Sequence, residues 1–146
     1  MIYHNQIDYY GSNGAQHSRL QCDKIEQNKD KAILYNPIIN TQSKRNSKWV
    51  ISAKKGAVVG QKTFQLNGDV RLINLDNAGK TKISIKTSNC TYLPDKKLIF
   101  STAKTIIKTK NSSISSDGIK INLLNDQIIL NANTKAYLSP SDLPKK

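Results

Sequence analysis

Alternation of apolar and polar residues is the dominant pattern along this chain. Segments 47–53, 63–72, 82–86 and 118–123 each place apolar side chains at every second position. Because successive side chains of a strand point to opposite faces of a sheet, a period of two indicates half-buried strands. No window carries apolar residues at i, i+3, i+4 and i+7 over a helical length. The sequence therefore predicts an all-β protein.

Turn residues interrupt these segments at short intervals, for example at 12–14, 76–79, 93–96 and 116–118. An apolar doublet recurs at intervals of about 30 residues, each time after an alternating strand and a turn. The three doublets are Phe64/Leu66, Leu98/Phe100 and Ile128/Leu130. A strand–turn–strand unit repeated in this way predicts stacked β-hairpins, as in a sandwich, a jelly roll or a short β-solenoid.

The length of 146 residues corresponds to one domain with a core of its own. We expect this domain to span residues 13–138. The start, residues 1–12, and the polar, proline-containing tail, residues 139–146, are expected to be poorly ordered. No run approaches the roughly 18 apolar residues of a membrane span, and the start has no apolar signal-peptide core.

The chain is strongly basic, with 23 Lys and Arg against 10 Asp and Glu and a formal charge of +13. Such a surplus favours an anionic partner, which can be a nucleic acid, a membrane surface or a phosphorylated lipid. Only Arg19, Arg45 and Arg71 are arginines. Since specific phosphate recognition favours Arg over Lys, a solvated lysine-rich surface is an equally good interpretation of the charge.

No catalytic or metal-binding constellation is present in the sequence. The two histidines, His4 and His17, have no carboxylate or cysteine neighbours at ligand spacing. Cys22 and Cys90 match no metal motif and are either a disulfide or two buried thiols. The aromatic residues fall in phase with apolar core positions and do not alternate with basic ones. The sequence predicts a protein that is not an enzyme and needs no cofactor or metal.

Four ordered stretches resemble the periplasmic domain of the LptC family of lipopolysaccharide-transport proteins. They are residues 8–20 with Gly11 and Gly14, residues 35–39 around Pro37, residues 49–58 followed by 66–70, and residues 115–121 with Gly118. The resemblance runs from about Asp8 to Tyr137. The family's N-terminal membrane helix has no counterpart in the chain, so we expect an inner-membrane anchor to be missing here.

The resemblance implies an elongated, twisted, open β-jellyroll of the OstA-like type, with about 12–16 short antiparallel strands. It also implies a route: lipopolysaccharide arrives from the inner-membrane ABC transporter, in which LptF and LptG work with the ATP-hydrolysing LptB. The domain then passes the lipid to LptA in the periplasm, without chemistry of its own.

An apolar trough is the candidate lipid site in this family. The residues expected to line it are Trp49, Ile51, Phe64, Leu66, Ile83, Ile85, Leu98, Phe100, Ile119, Ile121, Ile128 and Leu130. The same side chains would also form a closed, dry core, and the sequence does not separate the two.

Partner docking is expected at the strand edges, where neighbouring jellyrolls add strand to strand. Residues 118–123 and 127–132 would face LptA, and residues 19–22 would face the LptF jellyroll. The corresponding candidate residues are Gly14, Arg19, Gly118, Leu123 and Leu130.

Three alternatives stay open from the sequence. The first is a soluble, LptA-like periplasmic bridge, because LptA carries related repeats. The second is a basic, β-rich nucleic-acid-binding module, motivated by the net charge alone. The third is a structural scaffold that binds no ligand.

Overall fold

The computed structural model describes residues 2–10, 16–43, 47–60, 63–130 and 135–137. These residues form antiparallel strands with one 3₁₀ turn at Pro94–Lys96 and no α-helix. The fourteen strands are β1 (Ile2–Tyr10), β2 (Gln16–Asn28), β3 (Lys31–Tyr35), β4 (Ile38–Gln42), β5 (Lys48–Ser52), β6 (Lys55–Val59), β7 (Thr63–Leu75), β8 (Thr81–Leu93), β9 (Leu98–Ser101), β10 (Thr105–Lys108), β11 (Ser113–Ser116), β12 (Ile119–Asn122), β13 (Gln127–Leu130) and β14 (Lys135–Tyr137). The all-β prediction and its strand number are confirmed. Within the same ranges no helix is long and apolar enough to cross a bilayer.

Three strands of 13 residues each, β2, β7 and β8, connect two halves of one folded sheet. The first half, layer 1, contains β3, β6, β9, β12 and β13 with residues 24–28, 63–67 and 89–93 of the long strands. The second half, layer 2, contains β4, β5, β10, β11 and β14 with residues 16–21, 70–75 and 81–87. The sheet is folded so that layer 1 covers layer 2.

A bend line separates the two layers. In β7 it falls at Gly68 and Asp69, where one extra residue shifts the register against β8. Gly68 has φ +83°, a conformation that glycine adopts without steric cost. In β2 every second side chain faces inward up to Cys22, and the next buried side chain, Ile25, comes three residues later. The inward-facing positions therefore shift by one residue at the bend. The layers therefore share one inner face although the long strands do not alternate strictly.

The start of the chain differs from the sequence prediction of a poorly ordered segment over residues 1–12. Ile2–Tyr10 forms strand β1, which pairs with β2 along most of its length. One reason is that β1 supplies hydrogen-bond partners to the backbone groups along the edge of β2. The other is that Ile and Tyr, which β1 contains, favour strands. The predicted disordered tail, residues 139–146, lies outside the described residues.

Candidate functional site

A continuous apolar row crosses the inner face of layer 2. Register pairs join its members from strand to strand, and directly opposed side chains of this kind lie about 5 Å apart. The row runs through Leu20, Ile39, Ile51, Leu72, Ile85, Ile107 and Ile114. All are buried except Ile114, which is partly exposed and packs on the others.

Layer 1 carries a matching apolar row on its inner face. It runs through Ala32, Val58, Phe64, Tyr92, Ile99, Ile121 and Ile128. Phe64 and Tyr92 stack at the centre with ring centroids 5.8 Å apart. Ala32 and Ile128, at the two ends, are partly buried and pack on the core. The two rows enclose an apolar interior that extends across the strands of both layers.

Most of the predicted trough residues face this interior. Trp49, Ile51, Phe64, Leu66, Ile85, Ile119 and Ile121 are buried, and Ile83, Ile128 and Leu130 are partly buried against them. In this structure they form a packed core. Their contact with lipid stays a prediction.

The prediction that Leu98 and Phe100 line the trough is wrong, because both side chains lie on the outer face of layer 1. Ile99, between them, is fully buried and pairs with Tyr92 and Ile121, so its two neighbours point to the outer face of layer 1. The repeat of apolar doublets is therefore out of phase at its second member. Every residue from Leu98 to Phe100 is apolar, so a period of two does not decide the face. The turn at Pro94–Lys97, in which Lys97 is in the left-handed region at φ 52°, determines which side chains of β9 face inward.

Several interior residues escaped the sequence analysis. Leu20, Ile39 and Ile107 each lie in the layer 2 row but were not predicted to line the trough; Leu20 was expected only within the docking segment 19–22. Burial alternates over residues 38–42, but the sequence does not, because Ile38 and Ile39 are adjacent and three polar residues follow, so no local pattern identified Ile39. Tyr92 is fully buried in the layer 1 row, but in the sequence the tyrosines form no cluster, and Tyr92 was not among the predicted trough residues.

The two layers meet at a mouth, which we define as the gap between their strand ends opposite the bend. The Tyr92 hydroxyl from layer 1 lies 2.5 Å from Ser18 Oγ and 3.0 Å from Thr41 Oγ1, both in layer 2. All three residues are buried. Nearby, Lys97 Nζ donates to the Gln42 carbonyl at 3.3 Å. Hydrogen bonds therefore close this part of the mouth, and we call the Tyr92, Ser18 and Thr41 group the clasp.

The mouth has a polar margin on layer 2. Ser18, Thr41, Trp49 and Asn74 are neighbours in register and all face inward. Asn74 Nδ2 donates to Ser47 Oγ at 2.7 Å and to the Lys48 carbonyl at 3.1 Å. Among the described residues, Trp49 Nε1 is a buried donor without a hydrogen-bond partner. An apolar interior with a polar margin suits a ligand that is itself amphipathic.

The other end of the interior is less completely covered. Ile114 on layer 2 and Ile128 and Leu130 on layer 1 are inward-facing but only partly buried, and they lie on or beside the last strands of the two layers. Ile83 is partly buried too, but it lies in β8 opposite Asn74 of the polar margin. At the last strands the apolar rows reach the surface, and we call Ile114, Ile128 and Leu130 the open end.

The predicted docking residues have different environments. Arg19 is exposed, but β2 is covered by β1 on one side and by β4 and β3 on the other, so residues 19–22 form no sheet edge. Leu123 is fully buried. Gly118 has φ +145° at the bend between β11 and β12, which favours glycine. Gly14 lies outside the described residues.

The described edge strands are β1 at one side and β13 and β14 at the other. The prediction that residues 19–22 form a docking edge is therefore wrong, since β1 takes that place. Strand β12 within 118–123 is likewise covered by β13 and β9, which leaves β13, with Leu130, as the edge of layer 1.

The cysteines are free, buried thiols at the bend, which decides between the two alternatives for this structure. Burial raises the pKa of the Cys90 thiol to about 12. Burial, followed by the neighbouring Asp23 carboxylate, raises the pKa of Cys22. Both thiols therefore act as small apolar side chains in the interior.

A family model described as lipopolysaccharide-assembly, LptC-related, matches residues 4–139. No curated protein matches the sequence. The fold is similar to the crystal structure of LptH from Pseudomonas aeruginosa, described as the LptA-homologous periplasmic component of the conserved lipopolysaccharide transport device. The TM-score is 0.65 at 7% identity, over 84% of this chain and 95% of that chain. At this identity the likeness establishes the jellyroll fold alone.

Proposed function

Since the chain belongs to the LptC-related family of lipopolysaccharide-assembly proteins, we propose that the interior between its two layers carries the acyl chains of lipopolysaccharide. Membership of the family makes the chain a periplasmic component of lipopolysaccharide transport and not an enzyme. The single observation that carries the proposal is the pair of facing apolar rows, which span both layers and reach the surface at the open end.

The physical basis is the hydrophobic effect. An acyl chain gains about 0.8 kcal/mol for each methylene that leaves water. The described interior residues pack against one another, so an acyl chain can enter between them when the layers separate. The partly buried residues of the open end give the first apolar contacts, and separation of the layers then extends the path toward Phe64 and Leu66.

The polar margin suits the junction between acyl chains and sugar. Ester and amide carbonyls lie at that junction and accept hydrogen bonds. Trp49 Nε1 is a buried donor without a partner among the described residues, and an unmade hydrogen bond in a buried place costs about 1–3 kcal/mol. A lipid carbonyl would supply the missing acceptor when the mouth opens.

The free strand edges support a proposal for the direction of transfer. We propose that β1 docks to the LptF jellyroll of the transporter formed by LptF, LptG and LptB, and that β13 and β14 dock to LptA. Exposed strand edges present unpaired backbone groups that a neighbouring strand can satisfy. In this arrangement the apolar rows of successive jellyrolls form one path. We further propose that an N-terminal helix anchors the protein in the inner membrane.

A binding experiment tests the lipid proposal. Lipopolysaccharide is titrated against the wild-type protein and against Ile114→Asp, with Ile106→Asp as the matched control. Ile114 faces the interior and Ile106, on the adjacent strand, is exposed on the outer face. We expect Ile114→Asp alone to lose affinity while both variants keep the β-sheet circular dichroism spectrum. Equal affinity in the two folded variants would contradict the proposal.

The nucleic-acid alternative is motivated by the charge alone, and no described residue adds to it. The LptA-like alternative shares the fold, as the structural similarity indicates. Its distinguishing test is attachment: an LptC-type protein co-purifies with the LptF and LptG transporter, whereas a soluble bridge does not.

A further inference from the structure

The outer face of layer 2 carries a groove of about 480 Å³ that the lipid path does not use. Its exposed side chains come from three strands: Arg19 and Gln21 from β2, Asn40 and Gln42 from β4, and Lys48 from β5. Val50 and Leu75 are half-buried and form an apolar part of the lining. We refer to this site as the outer groove.

The outer groove lies directly behind the polar margin of the mouth. Register pairs join Ser18 with Thr41 and Thr41 with Trp49, and these three residues also contribute to the groove lining. Because neighbours along a strand point to opposite faces, Arg19 and Lys48 lie on the outer side of the same strand ends. A molecule that leaves the mouth over the edge of layer 2 therefore meets the outer groove.

The chemistry of the outer groove fits a phosphorylated saccharide. Arg and Lys side chains bind phosphate oxygens, Arg through a planar fork and Lys as a point charge. Gln and Asn side chains each offer a donor and an acceptor, as sugar hydroxyls require. Arg19 is one of only three arginines in the chain, and the outer groove holds it beside three amides.

From this geometry we propose that the outer groove binds the phosphorylated saccharide of the lipid whose acyl chains enter the mouth. The lipid then straddles the edge of layer 2, with its apolar part inside and its anionic part outside. The proposal rests on the proposed function for the identity of the lipid. In this proposal Arg19 and Lys48 bind phosphate, whereas the other lysines form a solvated surface.

The test uses the soluble saccharide without its acyl chains. Fully deacylated lipopolysaccharide, before and after phosphatase treatment, is titrated against the wild-type protein, the double variant Arg19→Ala/Lys48→Ala and the control Arg71→Ala. Arg71 is exposed on the same outer face, but it lies outside the groove. All three substituted residues are exposed, so circular dichroism should not change.

We expect the double variant to lose about tenfold or more in affinity for the phosphorylated saccharide, and Arg71→Ala to stay close to wild type. Phosphatase treatment should weaken binding to the wild-type protein by a similar factor. Equal losses in the double variant and Arg71→Ala would indicate a diffuse basic face and overturn the proposal. Equal binding of the dephosphorylated saccharide, or no binding to the wild-type protein, would overturn it as well.

A second measurement separates this inference from the proposed function. Uptake of intact lipopolysaccharide into the interior is followed by crosslinking from Ile128, which lies far from the outer groove in strand order. If the crosslink forms while deacylated saccharide does not bind, the interior path stands and the outer groove is wrong. If saccharide binds as expected and no crosslink forms, the outer groove stands and the interior path is wrong.

Discussion

The hydroxyl oxygen of Tyr92 lies 2.5 Å from Oγ of Ser18, although the two residues belong to opposite layers of the sheet. Thr41 Oγ1, 3.0 Å from the same hydroxyl, completes the clasp. The interior is thus closed at this point by hydrogen bonds as well as by packing. Separation of the layers for lipid entry requires these hydrogen bonds to break.

Removing the Tyr92 hydroxyl should weaken the closure. We expect Tyr92→Phe to lower the free energy of unfolding by about 1–2 kcal/mol, because the Ser18 and Thr41 hydroxyls stay buried without this partner. The same change should speed the uptake of a fluorescent lipid. Urea denaturation and stopped-flow uptake measure the two effects.

Tyr35→Phe is the matched control for the clasp. The Tyr35 hydroxyl donates to Glu26 at 3.3 Å on the outer face of layer 1 and joins no two layers. Its loss should leave uptake unchanged. If Tyr35→Phe and Tyr92→Phe speed uptake equally, the clasp does not control entry.

The face assignment of β9 gives a direct stability prediction. Ile99 is fully buried, so Ile99→Asp places a carboxylate in the core and should unfold the protein or cost more than 3 kcal/mol (about the penalty of burying an unpaired charge). Phe100 lies on the outer face and is partly exposed, so Phe100→Asp should cost about 1 kcal/mol or less. Thermal unfolding followed by circular dichroism compares them. Greater damage from Phe100→Asp would contradict the register between β8 and β9.

Alkaline pH should destabilise the protein through Cys90. Its pKa is 9.0 in the unfolded chain and about 12 in the fold, so above pH 9 only the unfolded state releases this proton. Stability is therefore full below pH 9 and falls as the pH rises toward 12. The slope is at most about 1.4 kcal/mol per pH unit for one group. Denaturant unfolding between pH 8 and 10 measures it.

Cys90→Ala should flatten this pH dependence between pH 9 and 10. Above that range the loss continues, because burial also raises the pKa of Tyr92 from its usual 10.0. A slope that Cys90→Ala leaves unchanged would show that the thiol is not buried as described.

Docking through β13 should depend on the character of that edge strand. Ile129 is 40% exposed on β13, and Ile106 is 39% exposed on β10, which is flanked by β8 and β11. A lysine on an edge strand opposes the addition of another strand. We expect Ile129→Lys to reduce co-purification with LptA several-fold and Ile106→Lys to leave it unchanged. Equal effects would argue against strand addition at β13.

Local alternation predicted much of this fold from the sequence. Trp49 and Ile51 in β5, and Phe64 and Leu66 in β7, occupy every second position of their segments, and all four are buried as expected. The prediction was wrong where alternation carries no information, as in the wholly apolar run from Leu98 to Phe100. There the face depends on the turn that precedes the strand.

Other features depend on contacts between distant parts of the chain. The parity change from Cys22 to Ile25 comes from the bend, which exists only when two layers pack on each other. Strand β1 forms because its backbone pairs with β2, which follows it in the chain but presents its edge only in the folded sheet. The clasp and the outer groove each combine residues from different strands, so no local sequence pattern predicts either site.

The most direct test of the interior path is photo-crosslinking from two adjacent isoleucines of β13. A light-activated residue replaces Ile128, which packs against the core from the inner face, or Ile129, which is exposed on the outer face. Both positions are isoleucines and neighbours in the same strand, so they differ only in the face of the sheet on which the side chain lies. The account predicts lipopolysaccharide adducts from position 128 and none from position 129. Adducts from 129 alone, or equal adducts from both, would contradict an acyl-chain path between the layers.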